Sequence, residues 1–254
     1  MSMETVTSRD GTTIAYWRSG HGPPLVLVHG AISDRRIWAG VQRALGDRFT
    51  LYSINRRGQE GSGAPRDHDL ERDFEDVVAV IDAIGEPVHL LGHSSGAHCA
   101  LGAALLTEHV RSLILYEPPP PGPRLAAVAK QIRELVDAGR PDDAVVRFIG
   151  QARTAELKKS PIWPVLLAFA PSLAVDVAAV AHHTFDASRF GVLDIPVLLL
   201  VGGNSGPGPR EVSNALAQVL RNVQVRELAG QGHMANLEAP ELFSTEVAKF
   251  LEGV

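Results

Sequence analysis

The chain has 254 residues, 45% of them hydrophobic and 21% charged, with a formal net charge of −5. This describes a globular protein with room for one α/β domain and an insertion. The acidic balance and the lack of a basic stripe argue against nucleic acid as a partner, and no apolar run is long enough to predict a membrane span.

In chain order, residues 4–18 read as a β-hairpin turning at Asp10-Gly11. Leu25-Val26-Leu27-Val28 is a continuous apolar run, as expected of a strand buried on both faces, and it ends in His29-Gly30-Ala31-Ile32. Ser33 or Asp34 can cap the next helix, whose apolar positions run from Ile37 to Leu45. A strand over Phe49–Ile54 leads into the polar loop Asn55–Gly63, and an amphipathic helix carrying Phe74, Val77 and Ile81 stops at Gly85. The next strand ends in Gly92-His93-Ser94-Ser95-Gly96, and a small-residue helix follows. The strand Ser112–Tyr116 delivers Glu117, after which four prolines and a glycine break the pattern. Helical periodicity then replaces βα alternation, with helices predicted over Leu125–Val136, Asp143–Ala152, Trp163–Phe169 and Leu173–His182. Alternation resumes with a strand over Ile195–Val201, a helix over Arg210–Leu220, a strand over Val223–Leu228 and a helix over Pro240–Leu251. Alternating elements imply a mostly parallel sheet with helices on both faces, and the helical block within them reads as a cap. The expected division is a core of 1–117 and 193–254 with a cap of 118–192.

The chemistry centres on Gly92-x-Ser94-x-Gly96 between a strand and a helix. A serine at such a sharp turn is held in strained geometry, and side chains at the flanking glycines would strike backbone. The turn lifts the hydroxyl clear of the sheet and aims helical N–H groups at whatever oxygen is attacked. Serine needs an adjacent base, and His233 in Gly232-His233-Met234, after the last strand, falls at the same sheet edge. His93 and His98 are too local to Ser94 to serve, and His68, His89, His109, His182 and His183 lie in no partner motif. His182-His183 with Asp186 lacks metal-ligand spacing, so neither a metal nor a cofactor is expected. Cys99 lies in the small-residue helix and reads as packing; as the single cysteine it rules out an internal disulfide. No secretory leader is evident at the N-terminus, and a cytoplasmic location is expected.

The strand order, His29-Gly30, the Gly92–Gly96 elbow and Gly232-His233 together resemble the α/β-hydrolase superfamily over essentially the whole chain, in its serine-nucleophile, capped form. The resemblance implies an eight-stranded, mostly parallel sheet with an inserted helical cap. It also implies an oxyanion hole from the N–H groups of Ser95 and Ala31. The sequence departs from the family at the acid. Ser205 stands where an aspartate usually follows the strand after the cap, and Glu117 occupies the alternative place at the end of the strand after the elbow helix; Asp194 is second choice. The expected enzyme is a serine hydrolase of a small-to-medium apolar ester, using Ser94, His233 and Glu117. The alternative is a non-hydrolytic lyase, cyclase or ligand receptor, distinguished by whether Glu117 contacts His233. Ile32, Arg57, Trp163 and Met234 are the candidate substrate-binding residues; the plain reading of Arg56-Arg57 is two solvated loop cations, and the alternative is that one lines the pocket and binds an anionic or carbonyl group. A small molecule is the expected partner, with a homodimer left open.

Overall fold

A computed structural model describes residues 2–64 and 69–254. His68, among the histidines considered above, lies outside the described residues, as does Met1.

The first hairpin pairs β1 (Ser2–Thr7) with β2 (Thr13–Gly20), turning through Gly11 at φ 85°. The strands that follow are β3 (Pro24–Val28), β4 (Thr50–Asn55), β5 (Val88–His93), β6 (Val110–Tyr116), β7 (Val197–Gly202) and β8 (Val223–Leu228). They form one eight-stranded sheet in the order β1-β2-β4-β3-β5-β6-β7-β8, antiparallel at β1-β2-β4 and parallel from β4 to β8. Every residue of β3, β5 and β7 is buried, so their unbroken apolar runs fit strands covered on both faces.

The covering helices are α1 (Ala39–Leu45), α2 (Leu70–Ile84), α3 (Ser95–Ala103), then α4 (Pro123–Asp137), α5 (Pro141–Ile149), α6 (Gln151–Leu157), α7 (Trp163–Ala168) and α8 (Ala170–His182) between β6 and β7, and finally α9 (Pro207–Val219), α10 (Ala235–Glu238) and α11 (Pro240–Leu251). One apolar cluster joins the sheet to α2, α3 and α9 through Phe74, Leu101 and Leu216. Another joins its opposite face to α1 and α11 through Val41, Phe243 and Phe250. Several element boundaries differ from the sequence expectation, the helix expected from Arg210 beginning at Pro207 among them. The run from Ile37 opens as a 3₁₀ turn, capped by Asp34 accepting from Arg36 N–H at 2.9 Å, before α1 begins. The helix expected over Asp143–Ala152 is two helices, because Gly150 at φ 88° and ψ 148° leaves the helical region between α5 and α6. The last helical segment before β7 begins at Ala170 rather than Leu173.

Of the inserted helices, α8 is buried nearly all round, as an apolar helix between two layers must be. Ala179 and Val180 join the sheet-side cluster, while Leu173, Ala174 and Val177 meet Ile132 and Ala144 of α4 and α5. Helix α8 thus seals the insertion onto the core above the C-terminal ends of the parallel strands, with Leu125 of α4 packed against the same sheet-side cluster.

Candidate active site

The register of β5 and β6 pairs His93 with Tyr116, so the next residues, Ser94 and Glu117, leave adjacent strand ends together. Among the described residues, the non-glycine residues with positive φ are Ser94 (55°), Glu117 (51°) and Ile32 (53°). Such backbone is costly for residues with a Cβ, and here all three outliers fall at one sheet edge. The glycines around Ser94 are enforced by space. A Cβ on Gly92 would lie 2.3 Å from Gly96 O, one on Gly96 would lie 2.4 Å from both Val28 O and His29 O, and one on Gly30 would lie 2.8 Å from Ser94 Cβ.

Glu117 is fully buried. One carboxylate oxygen accepts from His233 Nδ1 at 2.6 Å and the other from Gly202 N–H at 2.7 Å. Burial pushes its pKa up, but the bonds from His233 and Gly202 N–H, with the Ser205 hydroxyl close by, outweigh burial and hold it below the ordinary glutamate value. Ser205 Oγ, buried short of full hydrogen-bond geometry, therefore lies beside the carboxylate rather than replacing it as a partner for histidine. Because the carboxylate accepts, His233 carries its proton on Nδ1 and keeps Nε2 as the basic nitrogen. Asp194 is exposed and precedes β7, at the opposite end of the sheet from Glu117.

Ser95 opens α3, and its N–H, like that of Ala31, has no acceptor among the described residues. The Ala31 peptide is held from behind: Gly30 C=O accepts from His29 Nδ1 at 2.7 Å and from Ser33 Oγ at 2.9 Å. A planar trans peptide then fixes the Ala31 N–H on the opposite side. Two free N–H groups flanking a strained serine can hold an oxygen that gains negative charge.

The expected pocket residues divide. Ile32 packs at the edge of the cluster formed by Trp163, Val145 and Ala170, so the β3 loop and the inserted helices meet there; Trp163 Nε1 donates to Asp142 at 3.0 Å. Met234 packs toward the α1/α11 face. Arg57 is placed elsewhere. Its buried guanidinium is held by Asp76, at 2.6 and 2.7 Å, and by Asp10 at 2.7 Å. Its partners lie on α2 and the first hairpin, which leaves no free cation there for a substrate. Nor is Arg56 a solvated loop cation, for it is 3% exposed. Cys99 is buried, its thiol donates to Ser95 O, and burial pushes its pKa far up. His182 is exposed and His183 Nδ1 pairs with Glu71 at 3.1 Å.

Sequence reasoning missed two residues. His93 does not reach the serine but supports His233: its Nε2 donates to His233 C=O at 2.8 Å and the rings lie 4.7 Å apart. Burial, and then the neighbouring His233, hold His93 well below the ordinary histidine pKa, so it is neutral. The Tyr116 hydroxyl donates to Gly232 C=O and accepts from Ala235 N–H at 3.2 Å. His93 and Tyr116 stack at 5.1 Å. The available signal was their position one residue before Ser94 and Glu117 on neighbouring strands.

The chain matches the model of a family described as the alpha/beta hydrolase family over residues 25–246. It is 28% identical to N-formylmaleamate deformylase of Pseudomonas putida, over 96% of this chain and 95% of that protein. Among solved structures, an alpha/beta hydrolase from Sphaerobacter thermophilus is 33% identical with a TM-score of 0.87, covering 98% of this chain and 100% of the other. A thermophilic esterase from Thermogutta terrifontis, at 22% identity, shares the fold with a TM-score of 0.86 over 100% of this chain and 99% of its own.

Proposed function

The chain belongs to the alpha/beta hydrolase family, and on that premise we propose that it is a serine hydrolase cleaving a carboxylic ester of a small-to-medium apolar substrate. The observation that carries this reading is the 2.6 Å hydrogen bond from His233 Nδ1 to the buried Glu117 carboxylate. A lyase or receptor using His233 alone would have no need of it.

In this reading Ser94 Oγ attacks the carbonyl carbon while His233 Nε2 takes its proton. Glu117 holds the tautomer and stabilises the imidazolium that forms, without itself being protonated. The carbonyl oxygen, now an oxyanion, is held by Ala31 and Ser95 N–H, a contribution of roughly 3 kcal/mol per donor. Collapse expels the alcohol, which receives the proton from His233. Water, deprotonated by His233, then attacks the acyl-enzyme, and Ser94 leaves with that proton as the carboxylic acid departs. Residues 118–192 act as the cap, with Ile32 and Trp163 lining the acyl side and Met234 beside the base. The relative named as a deformylase favours a second reading, in which the bond cleaved is the amide of a small N-acyl compound.

The test is steady-state hydrolysis of p-nitrophenyl acetate, butyrate and octanoate, with an N-formyl amide assayed alongside. Turnover of an ester that Ser94→Ala abolishes supports the first reading; turnover of the amide alone favours the second. Wild-type rates no higher than those of Ser94→Ala overturn both.

A further inference from the structure

Arg56 lies one residue past the end of β4 and is used by none of the steps above. Its guanidinium is buried and bridges three elements. Nη1 donates to Ser95 Oγ at 3.2 Å, while Nη2 meets Asp73 of α2 at 3.1 Å and Asp176 of α8 at 3.2 Å. All three side chains of this ion cluster are 2–3% exposed. Its backbone makes a fourth link, Arg56 N–H donating to His29 Nε2 at 3.1 Å.

That last bond has a consequence two residues away. With Nε2 accepting, the neutral His29 ring must carry its proton on Nδ1, the nitrogen that donates to Gly30 C=O. The Gly30 carbonyl and the Ala31 N–H belong to one planar peptide. Arg56 therefore fixes, through His29, the direction of one free N–H beside Ser94. Through Ser95 Oγ it also fixes the residue that carries the other. The main-chain N–H of Arg56 holds one arm and its guanidinium holds the other.

A buried ion cluster is a poor source of stability, because desolvation cancels most of its attraction. Nor can it serve as a positive charge for an oxyanion, since two carboxylates face one guanidinium. What it provides is geometry. We propose that Arg56 is a positioning residue that sets the oxyanion hole, holding the Ser95 and Ala31 N–H groups in register with each other and with the cap helix α8. Seating of α8 and assembly of the hole are thereby one event, because Asp176 is the cap's contribution to the same guanidinium. This rests on the hydrolase reading only for its effect on rate.

The experiment uses Arg56→Lys, which keeps the charge but cannot span Ser95 and both carboxylates, together with Asp176→Asn and Ser95→Ala. The last removes only the hydroxyl and leaves the N–H. Two readouts are taken on the whole chain: amide chemical shifts of residues 31 and 95, and kcat and KM for p-nitrophenyl butyrate. In Arg56→Lys and Asp176→Asn both amides shift together and kcat falls at least tenfold, with KM held within threefold. Ser95→Ala lowers kcat about threefold or more, again without raising KM. Should Arg56→Lys fail to fold, the two milder variants carry the test. Folded variants whose residue 31 and 95 amides stay put, or whose kcat stays within twofold of an active wild type, overturn the proposal. A wild type that turns over no ester, but whose two amides still move together in the variants, overturns the hydrolase reading and leaves the positioning role standing.

Discussion

Glu117→Gln removes one charge and no volume, and the structure says where the loss falls. The carboxylate accepts two buried bonds, from Gly202 N–H at 2.7 Å and His233 Nδ1 at 2.6 Å. A glutamine has one accepting oxygen. Turning its NH2 toward Gly202 would set two donors against each other inside the protein, so the oxygen stays with Gly202 and the NH2 faces His233. The imidazole must then accept at Nδ1 and carry its proton on Nε2, where it cannot take the serine proton. In the serine-protease triad this tautomer error costs on the order of 10⁴-fold in turnover, equivalent to about 5 kcal/mol of barrier. Burst and steady-state kinetics with a p-nitrophenyl ester, with urea unfolding as control, measure it. The expected result is a fall of 10³-fold or more, in a protein that unfolds cooperatively. A folded variant within tenfold of wild type would refute the assignment of Glu117 as the acid.

Gly30→Ala should silence the site locally: its Cβ would fall 2.8 Å from Ser94 Cβ and 3.1 Å from His93 O, an overpacking cost of about 1–3 kcal/mol. Loss of ester turnover with a modest drop in thermal midpoint is expected, and unchanged kcat contradicts the packing. Arg57→Met strands Asp76, 4% exposed, and should cost about 3–5 kcal/mol in urea unfolding, most of it recovered in Arg57→Met/Asp76→Leu; a single variant within 1 kcal/mol of wild type (by the same principle) argues against a dry pair. His98, bonded to Pro119 C=O, and His29 are both pushed down to about 4, chiefly by burial. The unfolded chain takes up these protons near pH 6.5 and the native chain does not. Their stabilisation is therefore complete above that pH and lost as pH falls to about 4, by about 3 kcal/mol per histidine. Urea midpoints should decline across that window, less steeply in His98→Gln; a flat profile contradicts the burial argument.

The parts of the site legible in the sequence were those that local geometry dictates. A serine between two glycines at a strand-to-helix junction has few other uses, and a carboxylate closing an apolar strand has no packing reason to be there. The sheet was legible because strands buried on both faces read as unbroken apolar runs. What stayed hidden were pairings between residues far apart in the chain. Arg57 looked available because Asp76 and Asp10 belong to separate segments, and Arg56 looked solvated because Asp176 lies on α8. His93 adjoins Ser94 in sequence, while its partner, the His233 carbonyl, is 140 positions away. The Gly150 break is not visible in the pattern, because apolar positions continue in phase on both sides of it.

The most direct measurement of the central claim is labelling by a fluorophosphonate probe, read by mass spectrometry of the modified peptide in wild type and Ser94→Ala. A single adduct on Ser94, absent from the variant, is the predicted result. An unlabelled wild type, or an adduct on any other residue, would contradict the assignment of Ser94 as an activated nucleophile.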